Sequence, residues 1–554
     1  MDRIRRSATT TSSARDWVGI FFVCLGLGIV TADLSIVDAV RPQIVEAFGI
    51  SGHLASFIIS VYMLVSACLL IPAGKLADQI GSRRVFFLGM LIFATGSLVC
   101  GLSPNYPLFL VGRLVQATGY AMTFPAALAM VNFRFPSGPR RTLAFAIVAL
   151  SIGAALGAGP MMGGIVAQAG NWHFVFTTNV PLALVAGIGC FAAVPAHAAH
   201  REAHGFDALG LVLLVAGQMM LFGGLQFGAR AGWLSTSADF TLLGYAWPLP
   251  VSPALLLVAA TLIFAAMFVR RERRRGQLGR DVIVDISIFD NRAFSCAFVA
   301  ASAMTAGVFG FLYVLPLFVE YVLGQNLLGS LVALMGLGMV LGALASSPLL
   351  KRYRRSRVTF AAMLLQLAAP LAAAGFLHDP MPLWLFVPGL LLQGAGWSLA
   401  YAVLQNTMLS NVRPDLAAMA SGTGLMGRLL AGAMMTTLIA SVLFLTATIA
   451  TRDLDMRGLT DAQTAQIEEA YRFSSVLKVP AAPAQATATE LSQIARFRAV
   501  VKEVKADMVL ALRLGLLVIA VINFCGLIAT LWIWHGDDRE GPAPAPPPGR
   551  ILKS

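Results

Sequence analysis

Apolar residues occur along this chain in long runs that are interrupted by charged clusters or by Gly and Pro residues. Runs such as 17–40 and 509–534 exceed the ~20 residues that a helix needs to cross a hydrocarbon layer of ~30 Å. Because backbone polar groups inside a bilayer must pair within the segment, each long run predicts a spanning helix. The fourteen predicted spans are 17–40, 53–78, 84–103, 106–132, 142–168, 174–195, 208–228, 246–269, 293–322, 327–350, 357–377, 382–411, 415–448 and 508–534.

The composition places the chain in lipid rather than in water. Hydrophobic residues make up 58% of it and charged residues 12%, whereas soluble globular proteins average roughly 45–50% apolar and 25% charged residues. The six cysteines all lie in apolar runs without a C-x-x-C pair, which argues against a disulfide framework or a zinc site. With no nucleophile and base pair, metal cluster or phosphate loop in the sequence, neither a cofactor nor an enzymatic activity is predicted.

Positive charge is distributed unevenly between the two sides of the predicted topology. If the basic N-terminal tail is cytoplasmic, 27 of the 40 Lys and Arg residues fall on cytoplasmic loops, tails or helix ends. Eight of the ten outer residues belong to one long loop, where charge has little influence on orientation. This pattern accounts for the net charge of +13 without a nucleic-acid partner. It predicts a multi-pass protein of the cytoplasmic membrane with both termini inside.

The most charged interruption between early spans is "GKLADQIGSRR", residues 74–84. In the predicted tight turn, Gly74 lets a neighbouring helix approach and Gly81 relieves the backbone. Arg83 and Arg84 then begin the third helix. Asp78 is predicted to act as a conformational latch, which binds a base or a helix N-terminus in one conformation and releases it in another.

The order G-x-x-x-D-x-x-G-x-R-R resembles the loop 2–3 signature of the major facilitator superfamily. The segment "RLVQATGYAMTFPA" (113–126) resembles the helix 4 motif of that family, with Arg113 and Gln116 retained and Ala117 in place of the usual Gly. "NWHFVFTTNVPLAL" (171–184) resembles the family sequence that follows helix 5.

Helix 5 itself carries "GAALGAGPMMGG" (153–164), which resembles the antiporter motif that marks exporters in this family. Spacings of four, three and four residues place several of its small residues on one smooth helix face. The same density of glycine also occurs where helices simply pack closely. The motif residues are Gly153, Gly157, Gly159, Pro160, Gly163 and Gly164.

The chain resembles the fourteen-span drug:proton antiporter branch of the family in two features. These are its fourteen rather than twelve predicted spans and the helix 1 segment "ADLSIVDAVRPQI" (32–44). The resemblance implies an all-α membrane protein with two six-helix bundles and two extra central helices. The implied divisions are a cytoplasmic basic tail (1–16), an N-terminal bundle (17–195), the inserted pair with its linkers (196–292), a C-terminal bundle (293–536) with a long outer loop (449–507), and a disordered tail (537–554).

Ionisable residues within spans are candidates for function because each is costly at the bilayer centre. Counted from Trp17 at 1.5 Å per residue, Asp33 lies roughly 24 Å up helix 1. Helix 4 descends from Tyr106, so Arg113 lies roughly 10 Å below the outer surface. The matching depths make an Asp33–Arg113 pair geometrically possible, either as a proton-coupling pair or as a static structural one.

Other charged residues leave the identity of the proton carrier open. Asp38 is three residues from Arg41, which favours a local ion pair over a coupling role. Glu320 stands where the family usually has Gln, and it fits an exposed loop or a proton site equally well. Arg428, within "SGTGLMGRLLAGA", and Gln116 are predicted to line the substrate cavity.

The prediction is therefore a monomeric exporter that exchanges protons for small amphipathic molecules by alternating access. Asp33 would carry the proton with Arg113 as its modulator, and the helix 5 face would act as a hinge between the bundles. Two alternatives remain. An uptake symporter shares most of the design, although the helix 5 motif argues against it. A transporter-like membrane sensor or scaffold would retain the fold without coupled transport.

Overall fold

Among the residues that it describes, the computed structural model contains fourteen helices that are long and apolar enough to cross a membrane, the number that the hydrophobic runs predict. The residues that the structure describes are 14–50, 52–135, 139–168, 170–195, 207–234, 241–242, 245–247, 249–280, 282–322, 328–378, 382–410, 412–413, 416–453, 460, 463–464 and 488–537. The helices are α1 (Ala14–Phe48), α2 (Gly52–Ile80), α3 (Ser82–Gly101), α4 (Tyr106–Arg134), α5 (Pro139–Gln168), α6 (His173–Ala193), α7 (Ala208–Ala231), α8 (Pro253–Gln277), α9 (Arg292–Pro316), α10 (Leu328–Arg352), α11 (Arg355–Phe376), α12 (Val387–Ser410), α13 (Ala417–Asp453) and α14 (Ala488–Asp537).

The helices form two six-helix bundles, as the sequence resemblance implies. In the N-terminal bundle α1 packs on α5 and α6, and α4 packs on α2 and α3. In the C-terminal bundle α14 packs on α9 and α11, and α12 packs on α10 and α11. The two bundles meet mainly through α5 with α10 and through α2 with α13. A residue on α2 or α5 is therefore placed to link the two halves.

The predicted eighth span, 246–269, is wrong at its start. Tyr245–Ala246 instead pairs antiparallel with Thr241–Leu242 as two short strands, and α8 begins at Pro253. The Ser252 side chain accepts a hydrogen bond from the Ala254 N–H, and Pro at the first helical position is already fixed in a helical φ. This strong helix start overrides the apolar character of the residues before it.

The segment 449–507, which is predicted as an outer loop, is helical at both of its ends. The helix α13 continues to Asp453, and α14 begins at Ala488, about twenty residues before the predicted span. Most of the residues between these helices lie outside the described part of the chain, as do the predicted tails before residue 14 and after residue 537.

The inserted helices α7 and α8 pack on each other, and α7 also contacts α2 and α13. Asp207 caps α7 by accepting a hydrogen bond from the Gly210 N–H, and it pairs with Arg271 at 2.7 Å and Arg275 at 3.2 Å on α8. Burial acts to raise the pKa of Asp207, but the hydrogen bonds from Arg271 and Gly210 outweigh it and hold the pKa below its ordinary value. The ionised carboxylate therefore joins the two inserted helices.

The linker after α8 is fixed to the same pair of helices. Glu272 accepts hydrogen bonds from the backbone N–H groups of Ile283 and Val284, at 2.7 and 3.1 Å. Lys75, near the C-terminal end of α2, donates to the carbonyl oxygen of Val282. The inserted pair is thus connected to the N-terminal bundle beside the predicted latch.

Candidate functional site

A buried carboxylate network lies inside the N-terminal bundle, centred on Asp33 of α1. Asp33 is 1% exposed, and Arg113 Nη1 donates to its Oδ2 at 2.6 Å. Asn179 Nδ2 on α6 donates to the other oxygen, Oδ1, at 2.9 Å, and Gln116 Nε2 donates to it at 3.3 Å. The structure thus brings Asp33 and Arg113 together, as their matching depths suggest.

The guanidinium group of Arg113 has partners other than Asp33. Its Nη1 also donates to Gln116 Oε1 at 2.8 Å, and its central carbon lies 4.2 Å from the ring centroid of Tyr62 on α2. This stacking over an aromatic face is a cation–π contact. The cation would therefore keep two neutral partners if Asp33 lost its charge.

Gln116 belongs to this network rather than to an open cavity wall. It is fully buried, and its Nε2 donates to Ser97 Oγ on α3 at 2.7 Å. The close approach of α3 and α4 depends on Gly96, where a Cβ atom would lie 2.5 Å from the backbone nitrogen of Gln116. The spacing of Arg113 and Gln116 by three residues places both side chains on one face of α4.

Five helices therefore converge on one carboxylate whose charge is balanced by one guanidinium group. An ion pair buried within a membrane-spanning bundle is a candidate for proton or ion movement, and it is also found as a static structural pair. Binding of a proton at Asp33 would remove the charge that Arg113 pairs with. A neutral carboxyl group would bind Arg113 less strongly than the carboxylate does, because the charge-assisted hydrogen bond would be lost.

A contact between the two bundles lies at the C-terminal end of α2, because residues 74–80 of the predicted turn continue this helix as far as Ile80. Asp78 Oδ1 accepts from the Ala418 N–H at 3.0 Å, and Oδ2 accepts from the Met419 N–H at 2.8 Å. These N–H groups belong to the first turn of α13, where unpaired donors and the helix dipole favour an anion. A Cβ atom on Gly74 would lie 2.5 Å from the carbonyl oxygen of Ala418, so glycine is needed for this approach.

The remaining turn residues act on their own bundle. Gly81 separates α2 from α3 and has a φ of 99°. Residues with a side chain rarely adopt this positive φ, so glycine is favoured at this position. Arg83 donates to the carbonyl oxygen of Val194, just beyond α6, at 3.0 Å and lies 4.3 Å from the ring centroid of Phe191. Arg84 is exposed. The partner of Asp78 shown here is thus a helix N-terminus rather than either of these arginines.

The small residues of α5 face two different neighbours. A Cβ atom on Gly157 would lie 2.7 Å from the Cα of Gly336 on α10, so these backbones cross almost in contact. A Cβ atom on Gly153 would lie 2.5 Å from the Met339 Cβ, also on α10. Gly159 faces Ser35 on α1 instead. Gly163 is buried, and the surroundings of Pro160 and Gly164 lie outside the described part of the structure.

Arg428 forms a second buried polar cluster, in the C-terminal bundle. It is 2% exposed, and its Nη2 donates to Gln405 Oε1 on α12 at 2.5 Å. Its Nε donates to the Gly424 carbonyl oxygen at 3.2 Å, and its central carbon lies 4.9 Å from the Tyr401 ring centroid. All of these partners are neutral.

Two predicted carboxylates lie outside what the structure describes. Asp38 is on α1, and Glu320 is in the single turn of π-helix Leu317–Val322 that follows α9, but neither side chain is among the described residues. The expected Asp38–Arg41 ion pair stays a prediction for the same reason.

Sequence reasoning missed several members of both clusters. Asn179 is the one amide side chain in α6, where it follows two threonines, and an amide within an apolar span is a signal that could have identified it. Tyr62, Ser97 and Tyr401 carry no comparable signal, because such residues also occur in ordinary helix packing. Their roles depend on which faces the bundle brings together.

The chain is similar in sequence to a known family of membrane proteins over most of its length. The sequence profile of the Major Facilitator Superfamily matches residues 23–436. The chain is 28% identical over 410 residues to the tetracenomycin C resistance and export protein of Streptomyces glaucescens, which covers 74% of this chain and 72% of the relative. It is 26% identical over 376 residues to the methylenomycin A resistance protein of Bacillus subtilis, with coverage of 66% and 74%.

The fold has a solved counterpart at low sequence identity. The structure of a proton:xylose symporter, XylE, bound to 6-bromo-6-deoxy-D-glucose, superimposes with a TM-score of 0.54 and 10% identity, covering 95% of this chain and 96% of that one. At this identity the likeness concerns the fold alone. With the fourteen helices, these similarities show a multi-pass membrane protein.

Proposed function

The chain belongs to the Major Facilitator Superfamily, and we propose that it exports small, drug-like molecules across the cytoplasmic membrane in exchange for protons. The observation that carries the proposal is the buried pair of Asp33 and Arg113, with a spare acceptor at Gln116 for the arginine. The relatives named as resistance and export proteins support the direction of transport.

Asp33 is the proposed proton carrier. In the deprotonated state its two oxygens accept from Arg113, Asn179 and Gln116. A proton from outside would neutralise the carboxylate and weaken its bond to Arg113, which retains Gln116 Oε1 and the Tyr62 ring. Protonation would therefore favour a different packing of α1 against α4. This difference between the two protonation states would shift the equilibrium between the conformations that alternate in transport.

The Asp78 contact is the proposed cytoplasmic latch. While the carboxylate holds the N-terminus of α13, the two bundles are joined at the face that carries the α2–α3 turn. Release of the latch would let α2 and α13 separate and open the cavity to the cytoplasm. The crossing of Gly157 and Gly336 provides a smooth contact about which the bundles rotate.

The proposed orientation has both termini in the cytoplasm, which puts the α2–α3 turn and most of the Lys and Arg residues on the inner side. Transport by a single chain is proposed because the two bundles already form the interface that alternating access requires. In this orientation the conformation described here is closed on the cytoplasmic side.

The test is the direction of proton flow in liposomes that contain the purified protein and an internal pH-sensitive dye. Tetracenomycin C and methylenomycin A are imposed as gradients in turn. Exchange moves protons against the drug flux, whereas a symporter moves them with it and a sensor moves none. Liposomes with Asp33→Asn protein serve as the matched control. Proton movement in the same direction as the drug, or none with either drug, would contradict the proposal.

A further inference from the structure

Arg428 is a buried cation with no carboxylate partner in the described part of the chain. None of the ion pairs among the described residues includes it, whereas the equally buried Arg113 has Asp33. The burial of a charged group away from water is strongly unfavourable unless the group is paired. The neutral contacts to Gln405, Gly424 and Tyr401 compensate only part of this cost.

Two further polar atoms beside Arg428 are buried donors that have no acceptor. The Nε2 of Gln405 forms no hydrogen bond with the described residues, and the hydroxyl group of Tyr401, which lies beside the Arg428 guanidinium group, has no acceptor among them. Tyr401 and Gln405 are four residues apart and thus share one face of α12. Since Gln405 already uses its oxygen to accept from Arg428, its free atom is a donor. The amide and the hydroxyl therefore present donors without an acceptor beside a guanidinium group that has no anionic partner among the described residues.

Aromatic rings surround these donors on both sides of the boundary between the bundles. Trp397 and Tyr401 have ring centroids 5.0 Å apart on α12. Across the boundary, Tyr120 on α4 lies 6.0 Å from Tyr62 and 5.3 Å from Phe124 by the same measure. Tyr120 is also close enough to Tyr401 and Arg428 to interact with them electrostatically. Flat apolar surfaces and a few convergent polar groups are the usual composition of a small-molecule site.

We propose that Arg428, Tyr401 and Gln405 recognise an ionised oxygen, a carboxylate or an acidic phenolate, on a planar aromatic substrate. The aromatic part of the substrate would lie among the Tyr120 and Tyr401 rings, with its oxygen at the guanidinium group. This inference rests on the proposed export function and assigns a substrate class to it. It predicts discrimination against organic cations, because the group that would face their charge is itself positive.

The competing explanation is that Arg428 stabilises the helix pair α12–α13 and is solvated by water. That explanation also accounts for the neutral contacts, but it predicts no preference among ligands by charge. Affinity for a matched series of compounds therefore separates the two explanations.

The experiment measures binding of three pyrene derivatives to the purified full-length protein in detergent, without a proton gradient. Pyrenecarboxylate, pyrenecarboxamide and pyrenemethylamine share one ring system and differ in charge, and energy transfer from tryptophan reports their binding. We expect the carboxylate to bind about tenfold more tightly than the amide, as for a charge-assisted hydrogen bond, and the amine to bind most weakly.

Variants connect this preference to the site. Arg428→Gln should bind the carboxylate and the amide alike, while Arg428→Lys should keep part of the preference. Tyr401→Phe retains the ring and loses the hydroxyl donor, so its preference should be intermediate. The matched control is Arg352→Gln, at an exposed arginine far along α10, which should behave as wild type.

Three results would overturn the inference: no saturable binding of the carboxylate, equal or tighter binding of the amine, or an unchanged preference in Arg428→Gln. The wild-type series alone is decisive if the Arg428 variants fail to fold. Failure of the proposed function is distinguishable, because it appears as absent proton exchange in liposomes while the preference in detergent remains. Exchange without the preference would contradict the site alone.

Discussion

Gly157 of α5 and Gly336 of α10 cross so closely that a Cβ atom on Gly157 would lie 2.7 Å from the Cα of its partner. The neighbour is backbone, which cannot rotate away as a flexible side chain does. We expect Gly157→Leu to force α5 and α10 apart and to destabilise the packed state by about 1–3 kcal/mol. Transport should be lost, and the thermal unfolding temperature in detergent should fall.

The control for this variant is Gly375→Leu, because a Cβ atom there meets nothing within 4 Å. That substitution should leave transport and unfolding unchanged to within experimental error. Wild-type transport by Gly157→Leu would show that the contact is not needed for the movement of the two bundles.

Only one side of this contact between the two glycines is predictable from the sequence. The spacing of Gly153 and Gly157 predicts a smooth face on α5, because the pattern of one helix is enough to place both residues on the same side. The partner on α10 was not predictable, since Gly336 is one of several glycines in its apolar run. Contacts between distant helices depend on how the whole bundle packs, which no local pattern contains.

The buried carboxylate Asp33 likewise has one feature that a single helix predicts and others that depend on packing between helices. The depth estimate brings Asp33 and Arg113 to one level, because the helical rise per residue is nearly constant. It does not give the rotation of either helix, and therefore it could not identify Asn179 as a second donor. The start of α8 was misplaced for the opposite reason, since a local Ser-Pro cap outweighed the hydrophobic pattern.

A second prediction concerns the latch. Asp78→Ala removes both acceptors from the N-terminus of α13, which should destabilise the closed face by about 1–2 kcal/mol. Asp78→Asn keeps one acceptor and should have a smaller effect. Spin labels at Leu88 on α3 and Arg357 on α11, both exposed near this face, should report a larger fraction of long distances in that order.

The matched control is Asp290→Asn, at an exposed aspartate outside the latch, for which the distance distribution should stay as in wild type. Reactive native cysteines are replaced before labelling, above all the exposed Cys525. If Asp78→Ala gives the wild-type distribution, the contact does not govern closure of this face.

A third prediction is a pH dependence at Asp207. Its pKa is lowered in the folded protein, so the stability it contributes is present above the ordinary value of 3.8 and is lost as the pH falls below it. Asp207→Asn keeps the helix cap, because Asn caps a helix as well as Asp does, but it loses the charge that pairs with Arg271. It should therefore be less stable at neutral pH, by up to about 1 kcal/mol, and should lose less stability in acid.

The control is Asp285→Asn, because Asp285 caps a short helix at Ser287 in the same way and forms no ion pair with an arginine among the described residues. Thermal unfolding is measured in detergent from neutral pH down to below the ordinary aspartate pKa. Parallel pH profiles for wild type and Asp207→Asn would show that the ion pair with Arg271 contributes nothing to stability.

The last prediction separates the coupling role of Asp33 from its structural role. Asp33→Asn leaves Arg113 buried without its anion, and breaking a buried pair in this way typically costs about 3–5 kcal/mol. Loss of transport in that variant alone would thus be ambiguous. The double variant Asp33→Asn, Arg113→Gln removes both charges together and should recover much of the thermal stability, because no uncompensated charge remains.

Coupling should not recover with stability. If Asp33 carries the proton, the double variant will fold, bind ligand and move no protons in the liposome assay, because neither side chain can exchange a charge. The matched control is Asp16→Asn, which removes a carboxylate from a pair with Arg134 at the start of the same helix. That variant should keep the wild-type pH profile of export. Proton-driven export by the stable double variant would assign the proton to another carboxylate, and Glu320 and Asp38 would then be tested by the same pairwise replacement.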